Sequence, residues 1–149
     1  MKISLREKGI DELIKRMDKY PEKVHALMDV AMRATLLTTH ENVMPYPAAK
    51  PDSTYRRTGT LGRTLGSDTL GGVVGAPEIF EVRSMGSNFE GHFGTNLEYA
   101  PYVIGDTTQA KIHQGRWWTL SKVVEKAMPK IERIWKQLAE TMAKYLEGK

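Results

Sequence analysis

A chain of 149 residues has the length of one ordinary domain and can bury roughly two-thirds of the surface that its unfolded form exposes. Its 40% hydrophobic and 27% charged residues exclude wholesale disorder, and its zero cysteines exclude disulfides and thiolate metal sites. The net charge of +4 hides a segregation: residues 68–106 hold six acidic residues against one basic, flanked by basic excesses over 45–67 and 107–149. A chain divided in this way can attract copies of itself. No run approaches the ~20 apolar residues of a membrane span, and the charged first sixteen residues contain no apolar signal core, so neither membrane insertion nor export is expected.

In chain order, Ile3 and Leu5 alternate with polar residues and predict a short half-buried strand ending before Gly9. Ile10, Leu13, Ile14, Met17 and Tyr20 recur at helical steps and predict a first helix. Pro21 breaks or kinks it and suits the first turn of a second helix, whose apolar face runs through Val24, Leu27, Met28, Ala31 and Thr35 towards Val43. Residues 45–60, with three prolines and no periodicity, read as a long loop or arm.

From Leu61 to Gly105 the chain is dense in glycine and β-formers. Strands are expected at Leu61–Leu65, Gly72–Val74, Ile79–Met85, Gly91–Thr95 and Ala100–Val103, joined too closely for parallel crossovers. Thr119 or Ser121 then caps a carboxy-terminal helix carrying Leu120, Val123, Val124, Ala127, Ile131, Ile134, Trp135, Leu138 and Met142, which Pro129 must kink or divide. The fold class expected is α+β in one domain: an N-terminal strand and helices, a small antiparallel sheet, and a long C-terminal helix packed on the sheet.

Signatures of catalysis are missing: there is no Gly-x-Ser-x-Gly elbow, phosphate loop or His-Glu-x-x-His helix. His25, His40, His92 and His113 fall in different elements without ligand spacing, and Glu78, Glu81 and Glu90 read as the wet face of a sheet. Three segments stand out instead. Tyr55-Arg56-Arg57-Thr58-Gly59-Thr60-Leu61-Gly62-Arg63 offers arginines for bidentate contacts with carboxylates or phosphates, or a solvated loop around a conformationally free glycine. Tyr99-Ala100-Pro101-Tyr102-Val103 reads as an edge strand open to a partner, or as tyrosines packed beneath the last helix. Gln109 to Trp118 leads into that helix with Arg116, Trp117 and Trp118. One tryptophan is expected to anchor the core and the other to meet a partner. Tyr46, Tyr55, Arg56, Arg57, Arg63, Tyr99, Tyr102, Arg116 and Trp117 are the candidate interface residues.

These segments, in this order, resemble the head-tail joining, neck and tail-completion proteins of long-tailed phages and prophages. The residues that carry the resemblance are Gly9-Ile10-Asp11-Glu12-Leu13, Tyr55 to Leu61, Gly94-Thr95 with Tyr99 to Val103, and Gln109 through Gly115-Arg116-Trp117. Where many relatives have Glu-x-Gly-Thr after the Tyr-Ala segment, this chain has Ile104-Gly105-Asp106-Thr107. The resemblance implies a virion component assembled in the host cytoplasm. It would form a homo-oligomeric ring with other neck and tail proteins as partners, with no cofactor, no reaction, no membrane, and DNA only as cargo through a channel. The competing expectation is a nucleic-acid-binding module using Arg56, Arg57, Arg63, Lys111 and Arg116 with Tyr or Trp stacking on bases.

Overall fold

In the computed structural model, residues 1–5, 21–86 and 88–146 are described. The helix expected from Ile10 to Tyr20, and the Gly9-to-Leu13 motif, lie outside the described residues. The fold is α+β. Strand β1 (Lys2–Leu5) is followed by the long helix α1 (Pro21–Glu41), the short helix α2 (Thr60–Thr64) and strands β2 (Ile79–Met85) and β3 (Asn88–Gly94). Short helix α3 (Ala100–Ile104) and long helix α4 (Leu120–Leu146) complete the described order.

The three strands form an antiparallel sheet in the order β1-β3-β2. Strands β2 and β3 make a hairpin, because Met85 pairs with Asn88, and Gly86 at φ +61° opens the connection between them. On the other edge Lys2 pairs with Gly94, and the chain's terminal ammonium donates to the Thr95 carbonyl at 2.6 Å.

Helix α1 meets both the sheet and α4. It approaches β3 so closely at Gly91 that a β-carbon there would sit 2.8 Å from the Met32 sulfur. Phe89 and Phe93 flank that contact in two adjoining cores. One gathers Leu36, Phe93, Leu61, Leu65, Ile104, Trp118, Leu120 and Val123. The other gathers Val24, Met28, Met32, Phe89, Leu138 and Met142. The start of α4 therefore packs near the end of α1, and its end near the start of α1, so the two helices run antiparallel. Within α1, the buried Thr35 and Thr39 hydroxyls donate to carbonyls one turn back, each at 2.9 Å, which satisfies them without a partner from another element. Helix α4 passes through Pro129 as one continuous helix, with the proline on its exposed side.

Three expected strands are absent. Leu61–Leu65 lies on helix α2 and its C-cap, Ala100–Val103 lies in helix α3, and Gly72–Val74 is irregular. In both helices the decisive spacing is four residues: Leu61 with Leu65, and Ala100 with Ile104, all buried, fall on one helical face. The same Leu61 and Leu65 also fit a two-residue alternation, which is why they read as a strand. Pro101 stands in the first turn of α3, where its missing N–H leaves no bond broken, so it opens a helix and does not mark a sheet edge. Gly71 and Gly72 take φ values of +86° and +80°, which a strand does not accommodate.

Candidate functional site

The loop between α1 and α2 is tied to the body of the protein at several points. The Tyr46 amide donates to the Thr69 carbonyl at 2.8 Å, and the Trp118 indole N–H donates to the Pro45 carbonyl at 3.0 Å. Arg57 folds back within the loop, donating to the carbonyls of Pro47 and Ala48, and Arg116 reaches the same Ala48 carbonyl from the far side at 3.0 Å. Two arginines distant in sequence thereby fix one loop. Its tip, from Ala48 to Arg56, is exposed.

The Tyr46 hydroxyl supplies what α2 lacks. Helix α2 begins at Gly59, held at φ +71° and without a side chain to cap the helix, and the Tyr46 hydroxyl accepts the Gly62 N–H at 2.6 Å. One of the orphan amides of the first turn is thus satisfied from sixteen residues away. On the opposite side, Gln109 holds α3 to the segment before α4. Its side-chain amide donates to the carbonyls of Val103 at 2.7 Å and Trp117 at 3.1 Å, and the Ala110 amide donates to the Tyr102 carbonyl at 2.7 Å.

Between these two walls lies an open groove of about 530 Å³. Seven of the nine candidate residues line it: Tyr46, Tyr55, Arg57, Tyr99, Tyr102, Arg116 and Trp117. The other two, Arg56 and Arg63, are exposed outside it, and Arg63 is turned onto the Thr60 hydroxyl at 3.2 Å. Tyr99 and Tyr102 are exposed and do not pack beneath the last helix. The tryptophans divide as their neighbours dictate. Trp118 is buried in the core beside Leu120, whereas Trp117 is half-buried and forms a wall of the groove. The Trp117 ring lies 4.8 Å from Tyr46 and edge-on to His113 at 6.0 Å, with the Arg57 guanidinium over it at 5.4 Å.

Burial raises the pKa of Tyr46 above the ordinary tyrosine value, against the lowering effect of the Gly62 N–H and nearby arginines. Burial and the neighbouring Tyr55 raise that of Tyr99. Both therefore keep neutral hydroxyls at neutral pH. His113 is pushed the other way, below its ordinary value, first by burial and then by Arg116 and Arg57. Its imidazole is neutral at neutral pH, and its Nδ1 has no hydrogen-bond partner among the described residues.

Lys50 and Ile112 also line the groove, and neither stands out in the sequence. Lys50 reads as one more solvated residue of a Pro-rich loop, and Ile112, 66% exposed, sits alone between Lys111 and His113. Nothing in their spacing signals the site, because the groove is assembled by tertiary contacts.

Elsewhere several acidic and imidazole groups have local partners, whereas the buried His92 makes no hydrogen bond through either ring nitrogen among the described residues and stands 3.5 Å from Glu90. Glu78 accepts from the Thr95 hydroxyl and the Asn96 amide, Glu81 pairs with Arg83 at 2.6 Å, and His40 meets the Gly66 carbonyl at 3.0 Å. Among the described residues no three His, Asp or Glu side chains gather as metal ligands, and no helix is long and apolar enough to cross a membrane. Compared with known proteins, the chain matches no family model, no curated protein and no solved structure.

Proposed function

We propose that this chain is a structural virion protein at the junction of capsid and tail in a long-tailed phage or prophage, a neck or tail-completion component acting through protein contacts in a ring. One observation carries the reading. The segments Tyr55 to Leu61, Tyr99 to Val103 and Gln109 to Trp117, which bear the sequence resemblance, lie far apart in the chain yet form the walls of a single groove. Tyr, Trp and Arg are the residues that dominate binding energy at protein interfaces. Here they converge around an opening in which Tyr55 and Tyr102 remain 76% and 60% exposed. The segregated charge of the chain, acidic over 68–106 and basic on either side, suits a head-to-tail contact between copies, which closes into a ring when the rotation permits and leaves the groove open to another component.

Mass spectrometry of purified tailed particles tests the reading. The chain is expected in a fixed ratio to the other neck proteins, and a chain that is expressed during infection but missing from intact particles would overturn it.

A further inference from the structure

The chemistry of the groove is narrow enough to specify its occupant. Among the described residues three cationic side chains line it, Lys50, Arg57 and Arg116, and no Asp or Glu does. The two arginines use only part of their capacity on the loop. Arg57 gives donors to two carbonyls and Arg116 to one, out of the five N–H groups that each guanidinium carries. Carboxylates accept such remaining donors in pairs. Beside the cations stand exposed apolar surfaces, chiefly Tyr102 and Ile112. The loop main chain at residues 56–58 lies outside helix and strand, and its N–H groups have no protein partner among the described residues. An extended chain laid along it can pair with these groups.

Two other occupants fit less well. A second copy carries its acids on helices, strands and turns and offers no extended acidic segment among the described residues: Glu81 and Glu90 stand in paired strands, and Glu125, Glu132 and Glu140 on helix α4. The Asp68 carboxylate accepts the Leu70 amide, Glu78 holds Thr95 and Asn96, Glu81 holds Arg83, Glu90 stands 3.5 Å from His92, and Asp106 accepts the Ser121 hydroxyl. A nucleic-acid strand finds Trp117 already packed by Tyr46, Arg57 and the edge of His113, which leaves the exposed rings of Tyr55 and Tyr102 for stacking, and competition by oligothymidylate distinguishes it from a peptide.

We infer that the groove takes an extended acidic segment of a different protein, with its carboxylates on Lys50, Arg57 and Arg116 and its apolar side chains against Tyr102 and Ile112. This deepens the proposal above and rests on it in taking the groove as a protein-contact site.

The test uses the full chain, immobilised and screened against a random library of peptides about a dozen residues long. Selected peptides are synthesised and titrated by fluorescence anisotropy against the wild type, Lys50→Glu and Tyr102→Ala, with oligothymidylate as a competitor. Both substituted side chains are exposed, and neither holds another element by a hydrogen bond. The expected result is a set of acidic peptides whose affinity falls about tenfold or more when Glu and Asp are replaced by Gln and Asn, and again in each variant. Neutral or basic selected peptides, binding indifferent to both substitutions, displacement by oligothymidylate at similar concentration, or no groove-dependent selection would each overturn the inference. The two proposals fail separately. Loss of particle assembly on gene deletion beside a failed selection removes this inference and leaves the virion role, whereas acidic peptides bound by a chain dispensable for assembly do the reverse.

Discussion

Tyr46→Phe removes one oxygen and nothing else from the groove's floor. The Phe ring keeps its packing against Trp117, whose centroid lies 4.8 Å away, while the Gly62 N–H loses the acceptor that stood at 2.6 Å. Gly62 is buried, and Gly59, which has no side chain, offers no replacement for the hydroxyl. Leaving a buried backbone donor unsatisfied costs about 1–3 kcal/mol, and the half-buried setting of Tyr46 places the expected loss at about 1–2 kcal/mol. For a domain of this size each kcal/mol lowers the melting temperature by roughly 2–4 °C, so the variant should melt about 2–8 °C below the wild type. Urea denaturation gives the free-energy difference directly, and hydrogen exchange at the Gly62 amide should quicken by about tenfold for each 1.4 kcal/mol of local protection lost. An unchanged urea midpoint together with unchanged Gly62 exchange would refute the idea that a tyrosine from the loop caps α2.

The tryptophans should respond differently: Trp118→Ala, which empties a core site and removes the bond to Pro45, is expected to cost about 3–5 kcal/mol in urea unfolding, and Trp117→Ala distinctly less. Equal losses would contradict the division between core and groove. His113 should titrate below its ordinary value of 6.5 in an NMR pH series, and Arg116→Gln should move its midpoint upward. Because its folded pKa is depressed, the unfolded chain binds the proton first, so its contribution to stability is complete above about pH 6.5 and declines as the pH falls through that value. A midpoint unaffected by Arg116→Gln would sink the electrostatic part of this assignment. The exposed tip from Ala48 to Arg56 is expected to exchange rapidly in the isolated chain, unlike the Tyr46 amide bonded to the Thr69 carbonyl, and to become protected in the assembled particle, and strong, equal protection of the tip in the free chain would count against its role as a contact arm.

The long helices were readable because burial imposes a period. Val24, Met28 and Ala31 in α1, and Val123, Ala127 and Ile131 in α4, recur every three or four residues and are all buried. Of the hairpin the first strand was readable, since β-formers from Ile79 to Met85 run into Gly86, whose left-handed conformation begins the turn, but the second strand, expected from Gly91, begins at Asn88, which pairs with Met85. The short helices were not. Over five residues, Leu61 and Leu65 satisfy helical and alternating patterns alike, and only their burial on one face decides between them. Of the site, the sequence exposes the aromatic and arginine content but not its convergence. Trp117 and Trp118 are neighbours in the chain and part company only because the indole N–H of Trp118 finds the Pro45 carbonyl, a contact across 73 residues. Arg57 and Arg116 are likewise joined through one carbonyl, that of Ala48, which no local pattern announces.

The most direct measurement is electron microscopy of lysates from the phage or induced prophage after deletion of this gene, with the gene restored in trans as the control. If the chain acts at the junction of capsid and tail, filled heads and separate tails should accumulate, and the restored gene should return joined particles. Tailed, infectious particles in normal number without the gene would contradict that role.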